Sequence, residues 1–250
     1  MKTFAILLIA ANCTAAHADD SAATIPYRAA VSSSAQLPEP DQIEIEMGAI
    51  SSRTNELRRN GLPYQLTIPF SDEWGVMLGG DAYVSERNAG SRAHGAGDTH
   101  FTLKRAFLID NATAFGLELS TKIPTAKDSI GSGKEDYALN GIFSQDFGDL
   151  HMDLNLISTR MGALIAGTRR MQTGWAAALS SPITEKWGAL VEVSGTRQNG
   201  APSTAEVLTT MAYRLNKRMT FDFGVAKGLN NASPNWSVFT GIVMSVANPW

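Results

Sequence analysis

The chain has 250 residues, of which 21 are basic and 24 acidic, so its formal net charge is −3. No basic patch stands out, which argues against nucleic-acid binding, and no stretch approaches the roughly 18 apolar residues of a membrane-spanning helix. The single cysteine, Cys13, lies in a predicted leader. The mature chain is therefore expected to have no disulfide scaffold, cysteine nucleophile or cysteine metal site.

Residues 1–18 have the features of a secretory signal peptide. Lys2 provides the positive start, residues 4–11 are apolar, and residues 16–18 read Ala-His-Ala, a small-x-small cleavage site. Residues 19–40 are rich in Ala, Ser and Pro and lack a periodic pattern, which predicts a flexible N-terminal segment of the mature chain. Whether this segment enters the domain that follows is left open. Residues 41–250 are predicted to form one β-domain.

From Asp41 onward, segments with period-two alternation are separated by turn residues and predict twelve strands. The seventh is the clearest, because leucine and methionine at 150, 152, 154 and 156 alternate with His151, Asp153 and Asn155. The last begins at Trp236 and alternates for about eleven residues, the length of a tilted strand that crosses a bilayer. The predicted strands are 42–49, 64–70, 74–81, 98–109, 115–123, 137–147, 150–156, 170–179, 187–194, 206–215, 219–225 and 236–246.

The predicted connections alternate in length. Long loops such as 51–63 and 85–97 follow the odd-numbered strands, and short turns such as 71–73 and 148–149 follow the even-numbered ones. Most aromatic residues fall near strand ends, as the two interfacial girdles of a membrane barrel require. A soluble β-sandwich is the alternative, but its Greek-key connections have no reason to alternate. The pattern predicts an all-β, transmembrane up-and-down antiparallel barrel with short periplasmic turns and longer extracellular loops.

Twelve strands enclose a lumen too wide for side chains to fill, so the apolar face is predicted to point outward and the polar face inward. Acidic residues outnumber basic ones on that polar face, which predicts a mild preference for cations or neutral solutes over anions. The predicted lumen-lining residues are Glu44, Glu46, Asp98, Lys104, Glu118, Lys122, Asp153, Arg170, Glu192, Arg214 and Asp222.

The run from Gly95 to Leu156 resembles the family named for the MetA pathway of phenol degradation, a group of outer-membrane transporter-like barrels. The features that carry this resemblance are Gly97-Asp98, Lys122 with Pro124-Thr125, the glycine-rich loop 131–133, and the hairpin 143–156. The resemblance implies an outer-membrane barrel that passes small hydrophobic or aromatic compounds. The end of the last strand, with Gly241 and Met244, also resembles the signal that the barrel-assembly machinery reads, although Val246 stands where an aromatic residue is usual.

We therefore expect a channel of the bacterial outer membrane for passive passage of small solutes, with no enzymatic activity, cofactor or metal. The expected partners are outer-membrane lipid and lipopolysaccharide, the barrel-assembly machinery through the last strand, and small-molecule solutes. Two alternatives stay open. One is a structural or surface-binding barrel without conductance. The other is an outer-membrane lipid hydrolase, which would need His100 or His151 beside a nucleophile, although no G-x-S-x-G motif is present.

Overall fold

The computed structural model describes residues 26, 29–55 and 57–247, so the predicted signal peptide lies outside the described residues. Within them, no helix has the length and apolar character needed to cross a membrane. The strands in chain order are β1 (Gln42–Thr54), β2 (Leu57–Pro69), β3 (Trp74–Asn88), β4 (Ser91–Gly95), β5 (Thr99–Leu108), β6 (Thr113–Ile123), β7 (Asp136–Phe147), β8 (Leu150–Arg160), β9 (Met171–Pro182), β10 (Trp187–Gln198), β11 (Thr204–Asn216), β12 (Met219–Gly228) and β13 (Trp236–Ala247).

All of these strands except β4 form one closed antiparallel ring of twelve. Neighbours in the chain pair with each other, and β1 also pairs with β13 in an unbroken register from Gln42–Ala247 to Arg53–Trp236. The short β4 pairs only with the outer part of β3, so β5 takes the place beside β3 in the ring. A closed ring leaves no unpaired edge, which is the condition for crossing a bilayer with strands. The predicted twelve-stranded up-and-down barrel is confirmed.

The two ends of the barrel differ in the length of their connections. Short turns, such as 148–149 between β7 and β8, lie at one end, and longer connections, such as 124–135 between β6 and β7, lie at the other. The predicted loops 51–63 and 85–97 are wrong, because most of their residues pair as extensions of β1, β2 and β3 and as β4. Beyond the hydrocarbon layer, backbone pairing no longer requires apolar alternation. Polar sequence therefore concealed these extensions.

The side chains divide between the two faces of the wall as predicted. On β8, Leu154 and Leu156 point outward and are 41% and 65% exposed, whereas Asp153 and Asn155 point inward and are 1% and 4% exposed. An apolar outer surface around a polar interior is the reverse of a soluble protein and suits a bilayer. Rings also pair on the outer face near the short turns, for example Trp187 with Tyr213 at 4.8 Å between centroids, at the level where amphipathic rings favour an interface.

Candidate functional site

Residues 29–38 lie inside the barrel, and we call them the lumen segment. They contact inward-facing side chains of β6, β7, β8 and β10, and Ala35 has no solvent exposure. Its serines and alanines suit this position, because small side chains let the backbone approach the wall closely. The sequence left open whether this part of the chain enters the lumen, and the structure places it there.

Glu192 on β10 holds the start of the lumen segment. Its Oε1 accepts a hydrogen bond from the backbone N–H of Val31 at 3.0 Å, and its Oε2 accepts the N–H of Ser32 at 2.8 Å and also the Ser32 hydroxyl. Glu192 is 1% exposed, so these bonds replace water around a buried charge. Hydrogen bonds to an ionised carboxylate are among the strong ones, which makes Glu192 the main attachment point.

Asn155 on β8 holds the middle of the segment through two bonds to one residue. Its Oδ1 accepts the N–H of Ser33 at 3.1 Å, and its Nδ2 donates to the Ser33 carbonyl at 3.0 Å. The two bonds to Ser33 thus identify which atom of the Asn155 amide is the oxygen. Asn140 therefore donates its amide N–H groups to that oxygen, at 2.9 Å, and to the carboxylate of Glu118, at 3.0 Å. The network is thus oriented across β6, β7 and β8.

An ion pair and a serine complete the attachment. The backbone N–H of Ala35 donates to Oγ of Ser144 at 2.8 Å. The Lys104 ammonium donates to the carbonyl of Ser34 and lies 3.2 Å from the carboxylate of Glu118. The side chains of this pair are only 5% and 9% exposed. A buried ion pair is tolerated when further hydrogen bonds satisfy both groups, and the lumen segment supplies them here.

Apolar side chains fill the lumen beside the start of the lumen segment. Leu190, Leu208 and Phe239 point inward and form a buried cluster, against which Ala29 packs. The Phe239 ring covers Gly224 on the neighbouring strand, where an added Cβ would lie 2.4 Å from the ring. The alternation predicts polar residues on the inward face, so this apolar cluster differs from the prediction. Its members are single apolar residues at inward positions that are otherwise polar, and no sequence pattern distinguishes them.

Space remains in the lumen along β1, β2 and β3, between this part of the wall and the lumen segment. An inner cavity of about 460 Å³ lies between the lumen segment and this wall. Its polar lining includes Glu44, Glu46, Lys104 and Glu118, and Met77 is part of its apolar lining. A cavity of this size and mixed character is large enough for a small organic molecule.

A second, outer cavity of about 410 Å³ lies nearer the long loops and is lined by Asp98, His100 and Lys122, among others. The Lys122 ammonium lies 2.7 Å from the carboxylate of Asp136 and 3.8 Å from that of Asp98. Gln65 lines both cavities, so the two adjoin. Both cavities follow one wall of the barrel, and we call the two together the lane.

The predicted lumen-lining residues fall into three groups. Asp153, Glu192 and Asp222 are buried inside the wall. Two lie at the barrel ends: Arg170 comes one residue before β9 and donates to loop carbonyls, and Arg214 donates to the carbonyl of Glu185 in a short turn. That the remaining six line a conducting path stays a prediction. These six border the cavities: Glu44, Glu46, Asp98, Lys104, Glu118 and Lys122.

Sequence reasoning missed the contacts of the lumen segment. The run Ser32–Ser34 has no periodicity and was assigned to a flexible segment. One signal could have pointed to it. Short polar side chains lie together on two neighbouring strands at Asn140, Ser144 and Asn155. Such a patch leaves room for an extended peptide segment and offers it hydrogen-bonding groups.

The hydrolase alternative requires a histidine beside a nucleophile. The His151 ring has Asp146 at 2.5 Å from Nδ1 and Asp153 at 3.0 Å from Nε2. The nearby hydroxyl of Ser144 donates to Asp153, and not to the ring. A carboxylate at each ring nitrogen suits an imidazolium, which has two N–H donors. This arrangement therefore anchors β7 to β8 at the short-turn end and does not activate Ser144.

The closed ring, the apolar exterior and the polar interior define a porin-like β-barrel of the outer-membrane type. An outer membrane channel from Pseudomonas putida F1 has the same fold, with a TM-score of 0.65 at 13% identity over 84% of this chain and 97% of that one. The KdgM porin matches at 0.57 and 9% identity over 81% and 99%, and the CymD monoaromatic hydrocarbon channel at 0.51 and 10% over 84% and 89%. No family model and no curated protein sequence matches the chain.

Proposed function

We propose that the protein is an outer-membrane channel through which small solutes pass passively along the lane. The observation that carries this proposal is the pair of adjoining cavities, which share Gln65 and follow the wall that the lumen segment leaves open. The apolar exterior supports a membrane location. The names of the structural neighbours, an outer membrane channel and a porin, support the same function.

We propose small aromatic or hydrophobic compounds that carry a polar group as the solutes. Met77, Leu37 and Ile157 line the inner cavity together with hydroxyl and carboxylate groups. Such a mixed lining suits an apolar ring with one polar substituent. The resemblance to the MetA-pathway family supports this solute class, as does the neighbour named as a monoaromatic hydrocarbon channel.

Conductance across planar lipid bilayers tests the channel. The purified protein is expected to give a steady current with a mild preference for cations, because Glu44, Glu46 and Glu118 face the inner cavity against Lys104 alone among its described lining residues. Glu44→Gln should reduce this preference, whereas Glu185→Gln, in a short turn, should leave it unchanged. A silent barrel, or a reversal potential that reports anion selectivity, would contradict the proposal.

A barrel without conductance is the second candidate, and the lumen segment favours it, because the segment is hydrogen-bonded inside the barrel and narrows the lumen. Removal of residues 29–37 separates the two functions. A closed barrel would conduct only after the deletion, whereas a channel conducts before it and more strongly afterwards.

We further propose that residues 1–18 direct export, that residues 19–40 form the mature N-terminal segment ahead of the barrel, and that β13 presents the chain to the barrel-assembly machinery. Replacement of residues 1–18 by an unrelated export signal should preserve surface delivery, whereas their deletion should abolish it.

A further inference from the structure

Four arginines form a row across four neighbouring strands at the long-loop end. Arg53 on β1 pairs with Arg58 on β2, which pairs with Arg87 on β3, which pairs with Arg92 on β4. Residues directly opposite each other in antiparallel strands share one face of the sheet. All four side chains are exposed. We call this set the arginine row.

The arginine row lies on the outer face of the barrel. Arg59, beside Arg58 in the chain, points to the opposite face and forms an ion pair with Asp81 at 3.0 Å inside the lumen. Leu62 is four residues from Arg58 and therefore shares its face. It pairs with Tyr83, and both are exposed on the apolar exterior.

The position of the row along the strands matches the head-group layer. Rows on one face are two residues apart, about 6.6–6.8 Å, so the arginines lie roughly 13 Å along the strands from the Leu62–Tyr83 pair. Trp236 pairs with Arg53 at the same level, and tryptophan favours the membrane–water interface. The row between the apolar pair and the arginines consists of Ser51, Asn60, Ser85 and His94.

The positive charge of the row is not neutralised within the described part of the chain. None of its four guanidinium groups lies within ion-pair distance of a carboxylate there, in contrast to Arg59, which contacts both Asp81 and Glu86. Like charges directly opposite each other destabilise a sheet. Three consecutive arginine pairs in a chain of net charge −3 therefore indicate an anionic partner.

We propose that the arginine row binds the phosphate groups of lipopolysaccharide in the outer leaflet. Guanidinium groups match phosphate bidentately, and the apolar surface below the row would contact the acyl chains of the same molecule. Long loops mark the extracellular end of such barrels. This end lies at the outer leaflet, which contains the phosphorylated glycolipid. This inference rests on the proposed outer-membrane location and does not depend on conductance.

The test compares two variants that lose three positive charges each. R58Q/R87Q/R92Q removes most of the arginine row, and K186Q/K217Q/R218Q removes exposed charges from the short turns at the other end. Each protein, folded in detergent micelles, is titrated with lipid A, with enzymatically dephosphorylated lipid A and with inorganic phosphate. The readout is the temperature at which the folded form disappears in a heat-modifiability gel.

Lipid A is expected to raise this temperature for the wild-type protein and the short-turn variant. The row variant should need at least tenfold more lipid A for the same rise, and dephosphorylated lipid A and inorganic phosphate should have little effect. R87K retains the charge but loses bidentate geometry, and it should fall between. Equal responses of wild-type and row variants, or equal effects of dephosphorylated lipid A, would overturn the inference. Conductance of the row variant should stay at the wild-type level. Absence of conductance in the wild-type protein would contradict the proposed channel function and leave the inference on the arginine row unaffected.

Discussion

Substitution of Glu192 by glutamine should release the lumen segment. The side chain keeps its size, but its amide nitrogen replaces one of the two acceptor oxygens that now hold the N–H groups of Val31 and Ser32 and the Ser32 hydroxyl. One buried N–H would then face another N–H group. The bonds that survive would change from charge-assisted to neutral.

The magnitude follows from these contacts. Bonds to a charged group contribute about 1.5–3 kcal/mol and neutral ones about 0.5–1.5, and an orphaned buried donor costs about 1–3. Relief of the buried charge offsets part of this loss. We expect docking of the segment to weaken by about 3 kcal/mol, which is on the order of a hundredfold in the docked-to-released ratio. The contacts of the segment to Asn155 and Ser144 remain.

Single-channel recording in planar bilayers measures this shift. The Glu192→Gln protein should show frequent openings to a larger current level, and deletion of residues 29–37 should hold that level permanently. Glu206→Gln is the matched control. It removes a carboxylate from the inward face of β11, where no hydrogen bond joins Glu206 to the described lumen segment. Identical recordings from wild-type, Glu192→Gln and the deletion would refute the view that this segment narrows the lumen.

Three further predictions concern stability, measured by urea unfolding from lipid vesicles. Lys104→Met leaves Glu118 buried without its ion pair and should cost about 3–5 kcal/mol. Adding Glu118→Gln, which removes the unpaired charge and keeps an oxygen for the Asn140 amide, should restore much of that loss, and no restoration would contradict the pairing. Gly224→Ala places a Cβ 2.4 Å from a phenyl ring and should cost about 1–3 kcal/mol, whereas Gly141→Ala, with no atom nearer than 4.0 Å, should be tolerated. The backbone N–H of Ala112 donates to the Asp110 carboxylate and holds the pKa of Asp110 below its ordinary value of 3.8. The contribution of this bond to stability is therefore present above that value and is lost as the pH falls through the lowered pKa. Asp110→Asn should not show this loss of stability in acid.

Alternation predicted the wall of the barrel because the bilayer and the lumen impose opposite demands on successive residues. On β8, leucines alternate with Asp153 and Asn155, and the structure separates them to the two faces. The same rule could not show the extensions of β1, β2 and β3. Outside the hydrocarbon layer both faces meet polar surroundings, so charged residues such as Arg53, Arg58 and Arg87 can point outward and no apolar alternation marks the strands.

The interior was harder to predict than the wall, for a physical reason. The lumen segment makes its contacts through backbone groups and small side chains, as in the bonds of Ser33 to Asn155. Backbone groups are the same in every sequence, so such docking leaves no signature in residue type. Glu192 was assigned to the lumen, but its sequence position could not tell a solvated carboxylate from one that is dry and fully bonded.

Because the ten residues of the lumen segment occupy part of the interior, the bore of this barrel is not set by its strand number alone. Changing the width of most barrels means adding or removing a hairpin, with new pairing partners on both sides. Here a few substitutions in the lumen segment could widen or narrow the passage while the pairing of all the surrounding strands stays unchanged.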